Sequence, residues 1–156
     1  MAIQTGQAAP DFSLFDSEKN KITLSEFKGK NVLLLFFPLA FTSVCTKELC
    51  GIRDNIAFYN NTNAVVFGIS VDSLYALGKF KKEQGLNFQL LSDFNKEASE
   101  KYDTIYKTWS FEMQGVSKRS AFVIDKEGIV QYAEVLDNAS EVPDFEAINR
   151  TLTALN

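Results

Sequence analysis

Residues 32–51 read VLLLFFPLAFTSVCTKELCG. The first six, Val32 to Phe37, are apolar with no polar alternation, the pattern of a strand covered on both faces of a parallel or mixed sheet. Pro38 ends the run because it has no N–H to give to a ladder. Thr42 or Ser43 then suits the N-cap of a helix running from about Ser43 to Tyr59, which places Cys45 in the first turn. Both cysteines of the chain, Cys45 and Cys50, fall in this one stretch.

Working outward, Ala64 to Val71 (AVVFGISV) and Ala121 to Ile124 (AFVI) have the same unbroken apolar character and predict two more buried strands. Helical spacing recurs over about Ser73 to Gln84, Lys96 to Tyr102 and Phe145 to Leu155. Asp125 to Gly128 (DKEG) reads as a turn that joins the AFVI strand to Ile129 to Val135 in a hairpin. A βαβ start with a ββα finish predicts an α/β domain in which helices flank a mixed central sheet. No repeat or linker interrupts the chain, so residues 1–156 are expected to form one domain.

The 156 residues are 46% hydrophobic and 23% charged, with 14 Phe and a net charge of −4. That composition is globular and offers no basic stripe, which argues against nucleic acid and anionic membrane as partners. Met1 to Pro10 lacks the pattern of a secretory signal, and no apolar run approaches the roughly 20 residues that span a bilayer, so a cytoplasmic location is expected. There is no His. Ser-His and Cys-His hydrolases, His-ligated zinc and imidazole acid–base catalysis are thereby excluded. Two thiols alone make a poor metal site, so neither metal nor cofactor is expected.

A thiol activated without imidazole needs other help. Bringing an ordinary thiol from about 8.5 to about 6 requires roughly 3.4 kcal/mol of preference for the thiolate. A helix N-terminus supplies about 0.3–1 kcal/mol and at most about 2. A cation must add the rest, and the chain has three arginines, Arg53, Arg119 and Arg150. Arg53 lies eight residues along the same helix, about 12 Å away. Arg150 sits in the final helix with no clue to its facing. Arg119, just before the AFVI strand, is the best placed of the three. Cys50 offers a second thiol, but positions i and i+5 of an ideal helix are about 8.6 Å apart at Cα, whereas a disulfide requires roughly 4.4–6.8 Å. Joining them demands local unwinding.

Pro38, Thr42 and Cys45 together make a Pro-x-x-x-Thr-x-x-Cys pattern that resembles the active site of the peroxiredoxins. The opening Gly6 to Phe12 (GQAAPDF) is similar to that family's entry strand, and Lys118 to Asp125 (KRSAFVID) to its arginine-bearing strand. The resemblance extends over nearly the whole chain. It implies a thioredoxin-like fold and reduction of hydrogen peroxide or organic hydroperoxides without a cofactor. Cys45 would be the peroxidatic nucleophile. Thr42 would hydrogen-bond the sulfur and the peroxide, Pro38 would shield the pocket, Arg119 would hold the thiolate and Glu48 would orient the guanidinium. The spacing of Cys45 and Cys50 looks like the bacterioferritin-comigratory branch, in which Cys50 would resolve the sulfenic acid as a disulfide reduced by thioredoxin or a similar thiol. FFPLAF instead looks like the one-cysteine alkyl hydroperoxide reductase E branch, which needs an external thiol. Dimers are common in the family, so a homodimer is a further expectation.

Three functions stay in competition at this level. A thiol peroxidase leads; a thioredoxin-fold thiol–disulfide oxidoreductase follows, disfavoured because such enzymes use Cys-x-x-Cys; a redox-inert binding module that keeps the fold is third. Simpler roles exist for the same residues: Thr42 as an N-cap, Pro38 as a strand stop, Glu48 as a solvated helix residue and Cys50 as a small core hydrophobe. Tyr106 to Gly115 (YKTWSFEMQG) gathers three aromatics and a methionine, which suit core packing, a dimer face or a wall for an organic peroxide's tail.

Overall fold

A computed structural model of the protein describes residues 3–156. Seven strands form one sheet: β1 (Ser13–Asp16), β2 (Lys21–Thr23), β3 (Asn31–Phe36), β4 (Ala64–Ser70), β5 (Gln89–Ser92), β6 (Ser120–Ile124) and β7 (Val130–Val135), in the order β2-β1-β5-β4-β3-β6-β7. The three strands expected from unbroken apolar runs are its centre. β3 pairs in parallel with β4 and antiparallel with β6, and every residue of β3 and β6 is buried. The predicted hairpin is present as β6 and β7; Asp125 Oδ1 accepts from the N–H groups of Glu127 and Ile129 across its turn.

Side chains of the central strands alternate between two cores, as the pleat requires. Leu33, Leu35, Phe37, Ala121 and Val123 face one way, toward α1 (Ser43–Asp54), α3 (Leu74–Gln84) and α5 (Phe145–Ala154), and meet Leu49, Ile52, Leu77, Phe80, Ile148 and Leu152. Val32, Leu34, Phe36, Phe67, Ile69 and Phe122 face the other way, with Tyr102 and Phe12. Tyr102 follows the short helix α4 (Glu97–Lys101); its ring packs edge-on against Phe12 and Phe122. Burial of this kind contributes about 25 cal/mol per Å² of apolar surface, so the two faces anchor the sheet that carries the site.

Three expectations change. The helix expected over Ser43 to Tyr59 is two, because Asn55 (φ −118°, ψ 21°) leaves helical geometry and α2 (Ile56–Asn61) starts anew. Asn55 turns its side-chain amide back to the carbonyl of Gly51, the local bonding by which Asn competes with the helix ladder. Gly6 to Phe12 is not a strand. Apart from a single bridge between Ala8 and Ile129, pairing begins at Ser13. Strands β1, β2 and β5 add an edge that periodicity does not announce, since β2 has no buried residue and β5 only two. No helix among the described residues is long and apolar enough to cross a membrane.

Candidate active site

Between β3 and α1 the chain passes through buried Pro38 and a left-handed Phe41 (φ 69°), a conformation that costs a non-glycine residue of order 1–3 kcal/mol. Two anchors hold it there. The N–H of Ala40 donates to Asp72 Oδ2 at 2.8 Å, beyond the end of β4, and the Phe41 ring packs edge-on against Phe80 at 5.1 Å. Thr42 has the extended backbone of an N-cap (φ −87°, ψ 150°), but its hydroxyl does not cap the helix; it donates to the carbonyl of Leu39 at 2.8 Å. The hydroxyl is thus turned from the helix into the loop, with its oxygen still able to accept.

Cys45 follows in the first turn of α1 and is fully buried. Its Sγ lies 3.1 Å from Nη2 of Arg119, which arrives from the residue before β6. Arg119 is itself buried and makes four hydrogen bonds in all among the described residues. Nη1 donates to Glu48 Oε1 at 2.8 Å, while Nη2 and Nε donate to the carbonyl of Ala139 at 3.0 and 3.3 Å. Burial opposes the charge on this guanidinium, but the facing Cys45 and Glu48 outweigh it and move its pKa upward. Glu48, one helical turn after Cys45, is 5% exposed. Burial pushes its carboxyl up to about 7 against the pull of Arg119, and Oε2 has no hydrogen-bond partner.

The structure therefore brings Cys45, Arg119 and Glu48 into contact and leaves Arg53 and Arg150 outside; Thr42 shares a cavity wall with Arg119, but its hydroxyl is bonded to the Leu39 carbonyl and not, as expected, to the sulfur. Arg150 pairs with Glu146 on the exposed side of α5, and Arg53 with Asp54 at the end of α1. A cavity of about 430 Å³ opens beside the cluster, lined by Thr42, Ser43, Val44, Arg119, Ala139 and Trp109 among others. Cys45 does not line it, so a ligand meets Thr42 and Arg119 before the sulfur. Tyr106 and Trp109 stack on one another at 6.2 Å along its rim, whereas Phe111 is 95% exposed, so the YKTWSFEMQG segment is cavity wall and surface more than core.

Cys50 is elsewhere. It is half-buried against α3, with its Sγ 3.6 Å from Gln84 Oε1, and both thiols are free. Sequence reasoning missed the carbonyls of Leu39 and Ala139 and the carboxylate of Asp72. Backbone carbonyls carry no residue signature, and Asp72 gave no signal because its partner is a backbone N–H 32 positions away.

Comparison with known proteins agrees with this geometry. The AhpC/TSA family model matches residues 5–133. Among curated relatives, Peroxiredoxin Bcp of Bacillus subtilis is 39% identical over 130 residues, covering 82% of each chain. Alkyl hydroperoxide reductase E of Mycobacterium tuberculosis is 36% identical over 156 residues, covering 98% of each. Among solved structures, Peroxidoxin BcpB from Mycobacterium tuberculosis superposes with a TM-score of 0.87 at 27% identity, over 99% of both chains. The reduced 2-Cys peroxiredoxin of Plasmodium vivax gives 0.86 at 30% identity, over 97% of this chain and 81% of that one. The sheet with its flanking helices is thioredoxin-like, and by sequence and fold alike the chain belongs to the AhpC/TSA family: it is a peroxiredoxin, a thiol-dependent peroxidase.

Proposed function

We propose that Cys45 is the peroxidatic nucleophile, and the observation that carries this reading is the 3.1 Å contact between its sulfur and Arg119. A hydrogen bond to a charged group contributes about 1.5–3 kcal/mol, the share of thiolate stabilisation that a helix N-terminus cannot supply. The thiolate attacks the terminal oxygen of a hydroperoxide. The O–O bond breaks, the peroxide proton passes to the departing oxygen, and water or an alcohol leaves while sulfur keeps one oxygen as a sulfenate, which takes a proton from solvent to become the sulfenic acid. Arg119 is the donor for charge spreading over the two oxygens, and Thr42, whose hydroxyl oxygen is free to accept, orients the peroxide's O–H. Glu48 and the Ala139 carbonyl hold the guanidinium between them, and Pro38, buried in the loop that leads into α1, shields the pocket from water.

Cys50 is the resolving thiol in this proposal. Its thiol condenses with the sulfenic acid, releasing water and leaving a Cys45–Cys50 disulfide, which thioredoxin or a similar dithiol reduces by exchange. Because the two thiols lie in one continuous helix, α1 must open between them. A second reading, a one-cysteine peroxidase served by an external low-molecular-weight thiol, draws support from the facing of Cys50 toward α3 and from the whole-chain likeness to alkyl hydroperoxide reductase E. Two free thiols and the absence of a spanning helix among the described residues suit the reducing cytoplasm. The exposed Phe111 suits the expected homodimer.

Intact-mass analysis after one equivalent of peroxide tests the cycle. Loss of two hydrogens is the expected result for the wild-type chain, gain of one oxygen for Cys50→Ser, and no change for Cys45→Ser. A protein whose Cys45 thiol survives peroxide for seconds or longer, yet exchanges with protein disulfides, is instead a thiol–disulfide oxidoreductase.

A further inference from the structure

The end of α1 is tied to the end of α3 around Cys50. The Cys50 thiol meets the side-chain oxygen of Gln84, the last residue of α3. Three residues on, Arg53 Nη1 donates to the backbone carbonyl of the same Gln84. Asn87, just past α3, returns a bond from its side-chain amide to the carbonyl of Arg53 at 3.2 Å. A guanidinium in this position meets a carbonyl that the end of α3 leaves without an intrahelical partner, and it faces the negative end of that helix's dipole. Cys50 is therefore not a loose thiol at a frayed terminus. It is held by a neighbouring helix, on the opposite side of α1 from the Arg119 cluster.

The disulfide that the proposed cycle requires cannot form in this arrangement, because positions 45 and 50 of a continuous helix lie about 8.6 Å apart at Cα. Cys50 must leave Gln84, and the last turns of α1 must leave α3, before the two sulfurs meet. We propose that Gln84, Arg53 and Asn87 form a latch that sets the rate of resolution, acting as positioning residues that keep Cys50 on α3 until α1 opens. The inference rests on the reading of Cys50 as the resolving thiol. While the latch is closed, the sulfenic acid has another fate. Condensation with the Cys50 thiol breaks the S–O bond, forms the S–S bond and releases water, whereas a second hydrogen peroxide adds an oxygen to the same sulfur and gives sulfinic acid and water. The strength of the latch decides how the sulfenic acid divides between these paths.

Rapid-quench alkylation and mass analysis of the full chain, mixed with hydrogen peroxide, reads both branches. Gln84→Ala removes the acceptor of the thiol but leaves the backbone carbonyl that Arg53 uses. It is expected to form the disulfide about two- to tenfold faster, the range for loss of one modest hydrogen bond, and to lower the sulfinic fraction at excess peroxide correspondingly. Gln84→Glu, which keeps an oxygen in place, returns both values toward wild type. Asn87→Ala loosens the tie from the far side and shifts both in the same direction by less. The initial loss of the Cys45 thiol stays at the wild-type rate in all three, which a general loss of structure would not allow. Disulfide formation that neither Gln84→Ala nor Asn87→Ala accelerates overturns the latch alone. A wild-type chain that never loses two hydrogens overturns the reading of Cys50 and the latch with it.

Discussion

Two sulfurs five residues apart in one helix have opposite surroundings. Cys45 sits at the N-terminal turn of α1, sealed from solvent, within reach of a buried guanidinium that lines the neighbouring cavity. Cys50 sits roughly 140° further round the helix axis, half-exposed, facing a neutral amide oxygen at the end of another helix. The dipole that favours an anion at the first position fades within a turn, and Arg119 is already committed to Cys45, Glu48 and Ala139. The lesson is that thiol chemistry here follows from helix phase and from which strand delivers the cation. A cysteine pair in sequence is two separate environments in space.

The largest effect expected from this contrast is at the sulfur itself. Cys45→Ser should lower peroxide reduction by about 10⁴-fold or more, as loss of a covalent nucleophile does, while Cys50→Ser should leave the first oxidation rate within about twofold of wild type, both measured by stopped-flow competition for hydrogen peroxide. Equal losses in the two variants would erase the distinction. Arg119→Met comes next. It removes the donor to sulfur and is expected to slow Cys45 oxidation by about 10²–10³-fold, with a stability loss of about 3 kcal/mol in urea melts, because Glu48 is left buried without its partner. An Arg119→Met protein that reacts at the wild-type rate would show that the helix terminus alone activates the thiol.

Thr42→Val keeps the shape but removes the hydroxyl, and a ten- to hundredfold slower oxidation of Cys45 is expected, with little change in melting, since the hydroxyl satisfies only the Leu39 carbonyl in the resting protein. Thr42→Ser should recover most of the rate. The smallest effect on activity, but a readable one on stability, comes from Glu48. Its carboxyl is raised by burial from an ordinary 4.5 to about 7. Below about 4.5 folded and unfolded chains both hold the proton. Between 4.5 and 7 the folded chain keeps a proton that the unfolded chain has lost, so stability falls as pH rises, by roughly 3 kcal/mol in all, and is level above 7. Glu48→Gln has no such proton, so the difference in unfolding free energy between wild type and Glu48→Gln should shrink by that amount across this window. A difference that does not vary with pH would mean that Arg119 keeps Glu48 ionised throughout.

Much of the framework was legible because its cause is local. β3, β4 and β6 are unbroken apolar runs, α3 begins at a Ser73 whose side chain accepts from Ala76 N–H and stops at left-handed Gly85, and α5 carries an Asp144 cap. β1, β2 and β5 were not legible, since strands of three or four residues are too short to show a period. The break at Asn55 was not legible either, because Asn is tolerated inside helices and only the packing of α2 against β4 makes a change of direction worthwhile. Of the candidate site, Cys45 was read from its place at a helix start, the roles of Thr42, Pro38 and Glu48 came from the resemblance, and Arg119 was favoured among three arginines because it precedes a central strand. The carbonyls that hold Arg119 and Thr42 had no signature at all.

Taken alone, the order of residues determined the strand and helix periods, the absence of imidazole and the placing of a cysteine at a helix start, because each depends on neighbours a few positions away. Only the tertiary structure decided which arginine reaches the sulfur, that a glutamate one turn on is buried against that same arginine, and that Cys50 is bound to α3. Those outcomes depend on contacts between residues 34 to 74 positions apart, whose energy is set by burial and distance and is therefore absent until the sheet brings them together.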